Sequence, residues 1–302
     1  MVSIVTRKVK GNDYLYLVET FREAGKVKQR TLKYIGKKRP VPKEELVCMQ
    51  RSHAKEDWIL TKMQDHLSYQ DHAAMKNASK QQEMHLQRLD KTTREKERER
   101  FLSAFITSSN AIEGSTMTKK ETYEYLFQDV TPAGHSKKEL YMAENLLAAW
   151  KYLEKHCKKF PKEHDLLALH TCVNNRIERA TLGKYKKVQN YVGDVYTTSY
   201  LYVPERMKEL FLWIKKAFKK IDDFEVAFQS HAQFELIHPF VDGNGRVGRL
   251  LLNWLLMYKE LSPLIITKRG KYLEALQNAQ RGKLVAICQF CYRSYAEQYR
   301  FA

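Results

Sequence analysis

The stretch HPFVDGNGRVGRLL, residues 238–251, places a histidine, an aspartate, three glycines and two arginines directly before an apolar helical run. Pro239 disfavours a helical conformation of the residue before it, so the preceding helix is predicted to end at His238. The glycines allow positive φ angles, which can turn successive backbone N–H groups to one side. The unpaired N–H groups of the following helix would complete an anion site. The stretch therefore predicts a phosphate-binding turn between two helices.

The charged side chains of this turn indicate a reaction. Arg246 and Arg249 are three residues apart, so they share one helical face and suit phosphate oxygens. Asp242 is the single carboxylate among these cations, and one carboxylate with phosphate oxygens is a common way to hold Mg²⁺. His238 supplies a base of suitable pKa. Together they predict attack of a hydroxyl on a bound phosphorus, which is nucleotidyl or phosphoryl transfer.

Other motifs account for these residues less well. The Walker pattern G-x-x-x-x-G-K-[ST] is absent from the stretch. Glu235 and His238 have the Glu-x-x-His spacing of di-iron bundles, but no second such pair exists in the sequence. A tight turn with incidental charges would account for each of these residues taken singly. It accounts less well for the loop glycines, the aspartate and the arginine pair occurring together.

The C-x-x-C pair Cys288 and Cys291 has no second Cys/His pair at comparable spacing, so it is predicted to be structural rather than a zinc site.

The segment from His238 to Arg249 resembles the Fic-domain signature H-P-F-x-D/E-G-N-G-R-x-x-R at every position. The resemblance implies a mostly helical Fic catalytic domain over residues 101–302. It also implies an enzyme that moves AMP from ATP to a Ser, Thr or Tyr hydroxyl of a target protein and releases pyrophosphate. The implied roles are His238 as base, Asp242 as ligand of Mg²⁺ or Mn²⁺, Gly243, Asn244 and Gly245 as anion hole, Arg246 and Arg249 on the outer phosphates, and Tyr272 near the adenosine. Ordinary helix packing is the alternative for Tyr272.

A second segment, SSNAIEGST, resembles the inhibitory motif [S/T]-x-x-x-E-[G/N] of the same family at Ser109, Glu113 and Gly114. Ser109 and Glu113 are four residues apart and share one helical face, and Gly114 is a natural helix end. The resemblance implies an inhibitory helix at about 104–114 whose glutamate pairs with Arg249 and occupies the space of the γ-phosphate. An alternative is that Glu113 positions a water that removes AMP from a modified target.

Residues 188–203 alternate Val, Tyr and Thr around Gly193–Asp194, which predicts a β-hairpin protruding from a helical body. This hairpin resembles the family flap, which docks an extended segment of the target protein by adding a strand to its edge. The sequence departs from many relatives at Lys186, where they have an arginine. Homodimers are common among relatives, so a homodimer is expected by analogy.

The N-terminal region, residues 1–42, is predicted to be a basic three-stranded β unit with a hairpin turn at its first loop. Residues 1–43 carry 12 Lys/Arg and three acids, a net charge of +9, which is half of the total of +18. Such a concentration of charge predicts contact with nucleic acid, with a solvated basic surface as the alternative. The unit resembles a piece found ahead of some transposase-type and archaeal Fic chains. A nucleic-acid-binding regulator with a Fic fold is therefore a further hypothesis.

The interval between Pro42 and Gly114 contains neither glycine nor proline, so residues 43–100 are predicted to form a helical arm of two or more helices. No apolar leader or membrane-length run is present, and five scattered cysteines suit a reducing cytoplasm, so we expect a cytoplasmic protein without membrane contact. Together the patterns predict a mainly α fold. It would comprise a helical core with a β-hairpin flap, preceded by the arm and the small antiparallel β unit.

Overall fold

The N-terminal region forms a small antiparallel sheet. The computed structural model describes residues 1–23, 25–56, 62–192 and 195–300. The three strands pair in the order β1-β2-β3, as predicted for a three-stranded unit. Their bounds, with those of the helix that follows, are β1 Val2–Val9, β2 Asn12–Glu23, β3 Lys26–Lys37 and α1 Lys43–His53.

One face of this sheet packs on α1 and on the loop that enters a later helix. Leu17, Met49 and Tyr202 form its buried apolar cluster. The backbone N–H of Ser199 donates to Ser52 Oγ at 2.9 Å, and Arg206 Nη2 donates to the carbonyl of Ser52. A three-stranded sheet of this size needs such a partner to be stable. Helix α1 therefore fastens the sheet to the helical body.

The rest of the described chain is helical apart from one short hairpin, which confirms the predicted mainly α fold. None of the described helices is both long and apolar enough to cross a membrane. The elements after α1 are α2 Tyr69–Arg88, α3 Lys91–Ile112, α4 Lys119–Phe127, α5 Lys137–His156, α6 Glu163–Val173, β4 Tyr191–Val192, β5 Val195–Tyr196, α7 Val203–Ala217, α8 Asp223–Ile237, α9 Asn244–Tyr258, α10 Arg269–Gln280 and α11 Val285–Tyr299.

Helices α8 and α9 form the centre of the body. Helix α8 is buried from Phe224 to Ile237, and most of α9 is buried as well. The two helices approach closely at Gly248, where a Cβ would collide with the carboxylate of Glu235 and lie 3.0 Å from the ring of Phe234. Because the helices are consecutive and packed side by side, residues 238–243 form the short loop between them. This loop carries the HPFVDG part of the signature, and the rest of the signature begins α9.

The predicted helical arm is divided differently in the structure. Helix α1 belongs with the sheet, α2 packs on α11, and α3 runs through residue 100 without a break. Helix α3 is capped by Asp90, whose side chain accepts a hydrogen bond from the N–H of Thr93 at 3.0 Å. Because α3 continues to Ile112, the inhibitory segment is the end of a long helix. Residues 57–61 of the predicted arm lie outside the described residues.

The flap is shorter than the predicted hairpin of residues 188–203. Strands β4 and β5 pair only through Tyr191↔Tyr196 and Val192↔Val195, and the turn at Gly193–Asp194 lies outside the described residues. Beyond β5 the chain leaves the strand because its backbone bonds to the body instead. The N–H of Thr198 donates to the carbonyl of Leu236 at 3.2 Å.

Candidate functional site

The loop between α8 and α9 has a fixed shape. His238 ends α8 in the left-handed conformation, with φ 50°, and Gly243 precedes α9 with φ 79°. The side chain of Asn244 bridges the loop, since its Oδ1 accepts from the N–H of Phe240 and its Nδ2 donates to the Phe240 carbonyl, both at 2.8 Å. The side chain of Asn244 is therefore occupied within the loop. Only its backbone N–H is left to bind an anion.

The first turn of α9 has backbone N–H groups that are free to bind an anion. The first hydrogen bond of this helix runs from the N–H of Val247 to the carbonyl of Gly243, at 3.0 Å. The N–H groups of residues 244–246 therefore have no acceptor within the helix, and they lie at its positive end. A Cβ on Gly245 would collide with Oε1 of Glu113. A carboxylate of the chain itself thus lies directly over the turn that would bind phosphate.

Arg249 holds that carboxylate. Its Nη2 donates to Glu113 Oε1 at 2.8 Å and to the carbonyl of Ser109 at 2.9 Å, and its Nε donates to Ser109 Oγ at 2.8 Å. Burial by itself lowers the pKa of Arg249, but the acidic groups around the guanidinium, Glu113 foremost, more than offset burial and the pKa is raised. Two of the three guanidinium nitrogens of Arg249, Nε and Nη2, are thus bonded to the end of α3.

The end of α3 presents Glu113 in a defined position. The N–H of Ser115 donates to the carbonyl of Asn110 at 3.0 Å, and the N–H of Gly114 to that of Ala111 at 3.1 Å. With Gly114 at φ 96°, this is a Schellman motif. The Glu113 side chain itself remains about one-third exposed, at 32 %. Its backbone is fixed, while its carboxylate faces the solvent-accessible side of the loop.

Arg246 contacts a different part of the body. Its Nη1 donates to the carbonyl of Val173 at 3.2 Å, and its Nη2 donates to Asn174 Oδ1 at 3.0 Å. The Nη2 atom also lies 3.6 Å from Oδ2 of Asp242. Burial lowers the pKa of Arg246. The two arginines of the motif therefore flank the first turn of α9 but hold different partners, Arg246 at the end of α6 and Arg249 at the end of α3.

Asp242 keeps an exposed oxygen beside this turn. Its Oδ1 accepts from the N–H of Gly243 at 2.7 Å, and half of its side chain is exposed, at 50 %. Its backbone carbonyl is held by His170 Nε2 at 3.1 Å and by Asn174 Nδ2 at 3.0 Å. An oriented carboxylate with a solvent-facing oxygen fits a hard divalent cation such as Mg²⁺. Sequence patterns did not reveal His170 and Asn174, because they lie about 70 residues before the loop.

His238 has the protonation state of a base. Its Nδ1 lies 3.3 Å from the carbonyl of Glu235. Because a carbonyl can only accept, Nδ1 carries the hydrogen and Nε2 keeps a lone pair. Burial lowers the pKa of His238 to about 4, with a further contribution from the charge of Lys186. The imidazole is therefore neutral at pH 7 and can accept a proton at Nε2.

The base of the flap is bonded to the same loop. Lys186 Nζ donates to Asn190 Oδ1 at 2.6 Å and to Thr197 Oγ1 at 2.8 Å, so it links the two sides of the flap. The N–H of Lys186 donates to the carbonyl of Pro239 at 2.8 Å, and Asn190 Nδ2 donates to that of Phe240 at 2.9 Å. The flap is thus attached to the residues that follow His238.

Tyr272 lies beneath Arg249 rather than in the loop. It is only 1 % exposed, and its ring centre is 6.0 Å from the guanidinium carbon. Its hydroxyl lies 2.8 Å from Nε2 of His231, a buried histidine whose pKa burial lowers to about 3. In this structure Tyr272 packs against the arginine. Its place beside an adenosine stays a prediction.

Glu235 is a buried acid next to these groups. Burial raises its pKa to about 8, while Arg249 lowers it and Glu113 raises it again. Among the described residues its Oε1 has no hydrogen-bond partner. The carboxyl is therefore predominantly protonated at neutral pH, between His231 on one side and Arg249 on the other. The sequence pattern assigns no role to Glu235, because its Glu-x-x-His spacing to His238 has no second pair.

Glu235→Gln should make the folded state less sensitive to alkaline pH. Folding raises the pKa of Glu235 from 4.5 to about 8, so within this window only the unfolded state has lost the proton. The free energy of unfolding of the wild type then falls as pH rises from 4.5 to 8. We expect the variant to match the wild type in Tm near pH 5 and to exceed it by several degrees at pH 8. Glu274→Gln, at an exposed position, is the control, and a Tm difference independent of pH would contradict the assignment.

The fold and the site define a helical protein in which a neutral histidine lies beside a helix N-terminus with free backbone N–H groups. Residues 160–256 match the model of the Fic/DOC family, and residues 2–54 match that of the IS1634 family transposase N-terminal domain. The match over residues 160–256 confirms the Fic-domain resemblance seen in the sequence.

Curated relatives include a protein adenylyltransferase, fic-1, of Caenorhabditis elegans, 32 % identical over 189 residues, which cover 60 % of this chain and 37 % of the relative. A probable protein adenylyltransferase of Aquifex aeolicus is 40 % identical over 85 residues, 28 % of this chain and 26 % of the relative. The chain therefore spans less than half the length of these relatives.

Solved structures share the fold. A fragment of Fic-1 from C. elegans superimposes with a TM-score of 0.67 at 23 % identity, covering 76 % of this chain and 70 % of that one. A Fic domain containing signaling protein from Bacteroides thetaiotaomicron gives a TM-score of 0.65 at 22 % identity, covering 76 % of this chain and 97 % of that one. At these identities the likeness shows the fold alone.

Proposed function

We propose that the protein transfers AMP from ATP to a Ser, Thr or Tyr hydroxyl of a protein, releases pyrophosphate and is restrained by its own Glu113. The observation that carries the proposal is the neutral His238 beside an anion site formed by the first turn of α9 and two buried arginines. The names of the curated relatives, protein adenylyltransferases, support the same activity.

The residues of the loop divide the transfer between them. The target hydroxyl gives its proton to Nε2 of His238 while its oxygen bonds to the α-phosphorus of ATP. The bond from that phosphorus to the pyrophosphate oxygen breaks, and pyrophosphate leaves. The N–H groups of residues 244–246 and the side chains of Arg246 and Arg249 would hold the oxygens on which negative charge collects.

Asp242 would hold a Mg²⁺ or Mn²⁺ ion through its exposed oxygen. When bound, the ion neutralises charge on the phosphate oxygens. Two sets of hydrogen bonds orient Asp242 for this role. His170 and Asn174 hold its backbone carbonyl, and the N–H of Gly243 holds its carboxylate. The donor set, one carboxylate beside a phosphate site, suits magnesium.

The flap would dock the target protein. An extended segment of the target would pair with an edge of the β4–β5 hairpin through backbone hydrogen bonds. Because Lys186 and Asn190 bond the flap to the carbonyls of Pro239 and Phe240, a segment docked there would be aligned with the loop that carries His238.

Hydrolytic removal of AMP is a second candidate, favoured by the partial exposure of Glu113. In that reaction Glu113 would orient a water for attack on the phosphorus of the modified target. A target that already carries AMP, tested beside the unmodified target, separates the two candidates. Hydrolysis requires the wild type to release AMP faster than a Glu113 variant, whereas transfer requires the variant to add AMP faster than the wild type.

Mass spectrometry of the Glu113→Gly protein after exposure to ATP and Mg²⁺ tests the transfer. We expect a mass increase of one AMP group, localised by fragmentation to a Ser, Thr or Tyr. Excess EDTA and, separately, Asp242→Asn should suppress the adduct, because both remove the metal from the phosphates. The addition of a phosphate group alone would contradict adenylyl transfer, as would an AMP adduct that EDTA leaves unchanged.

A further inference from the structure

The face of the N-terminal sheet that points away from Leu17 and α1, here called the outer face, carries three tyrosines. Tyr16 and Tyr34 are register partners on adjacent strands, with ring centres 5.3 Å apart, and Tyr14 lies 5.9 Å from Tyr34. Tyr34 is 53 % exposed. Tyr14 and Tyr16 are half-buried beside it. A cluster of tyrosines with an exposed member offers a flat surface for another ring system.

A cation extends across this outer face. The guanidinium carbon of Arg7 lies 5.2 Å from the ring centre of Tyr16, and its Nη1 donates to Thr31 Oγ1 at 2.7 Å. The pairing register places Arg7, Tyr14 and Lys37 in one row across the three strands. Two positive charges, Arg7 and Lys37, therefore lie on either side of Tyr14 in this row.

The charge of this unit is mostly unbalanced. Five of the 12 Lys/Arg in residues 1–43 form ion pairs with carboxylates. The other seven form none within the described ranges: Arg7, Lys8, Lys10, Arg22, Lys26, Lys37 and Lys43. A surface that combines unpaired cations with exposed rings is complementary to a ligand with both negative charges and flat bases.

We propose that the outer face binds single-stranded nucleic acid, with bases stacked on Tyr14 and Tyr34 and phosphates on Arg7 and Lys37. Stacking platforms edged by cations are how single strands are bound without sequence preference. A duplex presents phosphates but hides the faces of its bases, so it would leave the tyrosines unused. The proposal goes beyond adenylyl transfer and uses none of the residues around His238.

The test is fluorescence anisotropy of the full chain with a labelled oligo(dT) of about 12 nucleotides, within the usual range of site sizes. Tyr34→Ala should weaken binding at least about fivefold, as loss of one stacking contact implies. Tyr34→Phe should bind like the wild type, because the ring is retained. Tyr69→Ala, which removes a tyrosine that is 85 % exposed on α2, is the matched control and should have no effect.

The salt dependence gives a second measurement. Arg7→Gln and Lys37→Gln should each reduce the slope of log affinity against log salt by about 0.7, the value expected for one phosphate of a single strand. Lys215→Gln and Lys216→Gln, at exposed positions on α7, are the controls and should leave the slope unchanged.

Three results would overturn the proposal: a Tyr34→Ala protein that binds as well as Tyr69→Ala, a duplex of equal length that binds as tightly as the single strand, or displacement of the oligonucleotide by polyglutamate at equal charge. Circular dichroism and AMP self-labelling in a Glu113→Gly background show whether Tyr34→Ala remains folded. If Tyr34→Ala is unfolded, Tyr34→Leu, which keeps an apolar side chain but removes the ring, decides by the same criterion.

Discussion

Replacing Glu113 by glycine should raise the rate of AMP self-labelling about ten- to a hundredfold over the wild type. In the folded chain the carboxylate lies over Gly245 and accepts from Arg249, so in the proposed reaction the outer phosphates of ATP would have to displace it. A hydrogen bond to a charged group contributes about 1.5–3 kcal/mol, which corresponds to a gain of this size when the competitor is removed. The comparison is made with ATP that is radioactive at the α-phosphorus, and labelling is measured as an initial rate.

The control for this experiment is Glu260→Gly. Glu260 is exposed, follows the end of α9 and has a positive φ of 56°, so glycine is well tolerated there and the charge change is the same. If Glu113→Gly labels no faster than Glu260→Gly, the inhibitory role is wrong. Ser109→Ala should give a smaller increase than Glu113→Gly, since Arg249 keeps its bond to the Ser109 carbonyl.

Removal of the His238 imidazole in the Glu113→Gly background should lower the labelling rate by about 10²- to 10⁴-fold, the usual contribution of a general base. Asparagine is the replacement of choice, because His238 has φ 50° and asparagine tolerates this conformation better than alanine. Binding of ATP should change little, since the proposed phosphate site is formed by α9 and its arginines rather than by the imidazole.

The pH dependence and a control complete this prediction. With a pKa of about 4, His238 is already deprotonated at pH 6. Titration of His238 should therefore not change the labelling rate of Glu113→Gly between pH 6 and pH 8. His164→Asn, which changes a histidine that is 71 % exposed on α6, should label normally. Equal rates for His238→Asn and His164→Asn would exclude His238 as the base.

Features that depend on neighbouring residues could be predicted from the sequence. The order His238, Pro239 and a glycine-containing turn before an apolar run predicts a helix end, a loop and a helix start, and the structure has all three. Anion binding at that helix start stays a prediction. The spacing of Ser109 and Glu113 before a glycine likewise predicts one helical face and a helix end. These features are local, so pattern and backbone preference were sufficient.

Contacts between distant segments could not be predicted in this way. The bonds of Asn174 to Asp242 and of Lys186 to Pro239 join residues more than 50 positions apart, and only the packed fold shows them. The alternation in residues 188–203 suggested a longer hairpin, but backbone bonding to Leu236 ends it early. The position of Tyr272 beneath an arginine is likewise set by the packing of α10 against the helices around α9.

The contact between the end of α3 and Arg249 has a consequence for how the proposed restraint would behave in a living cell. Glu113 and Arg249 belong to one folded polypeptide. The effective concentration of the carboxylate at the guanidinium therefore does not change when the protein is diluted. At a given ATP level, blocked and open molecules should therefore occur in a constant ratio. Greater synthesis of the protein would multiply both populations alike, and only an event that acts on this contact itself would change their proportion.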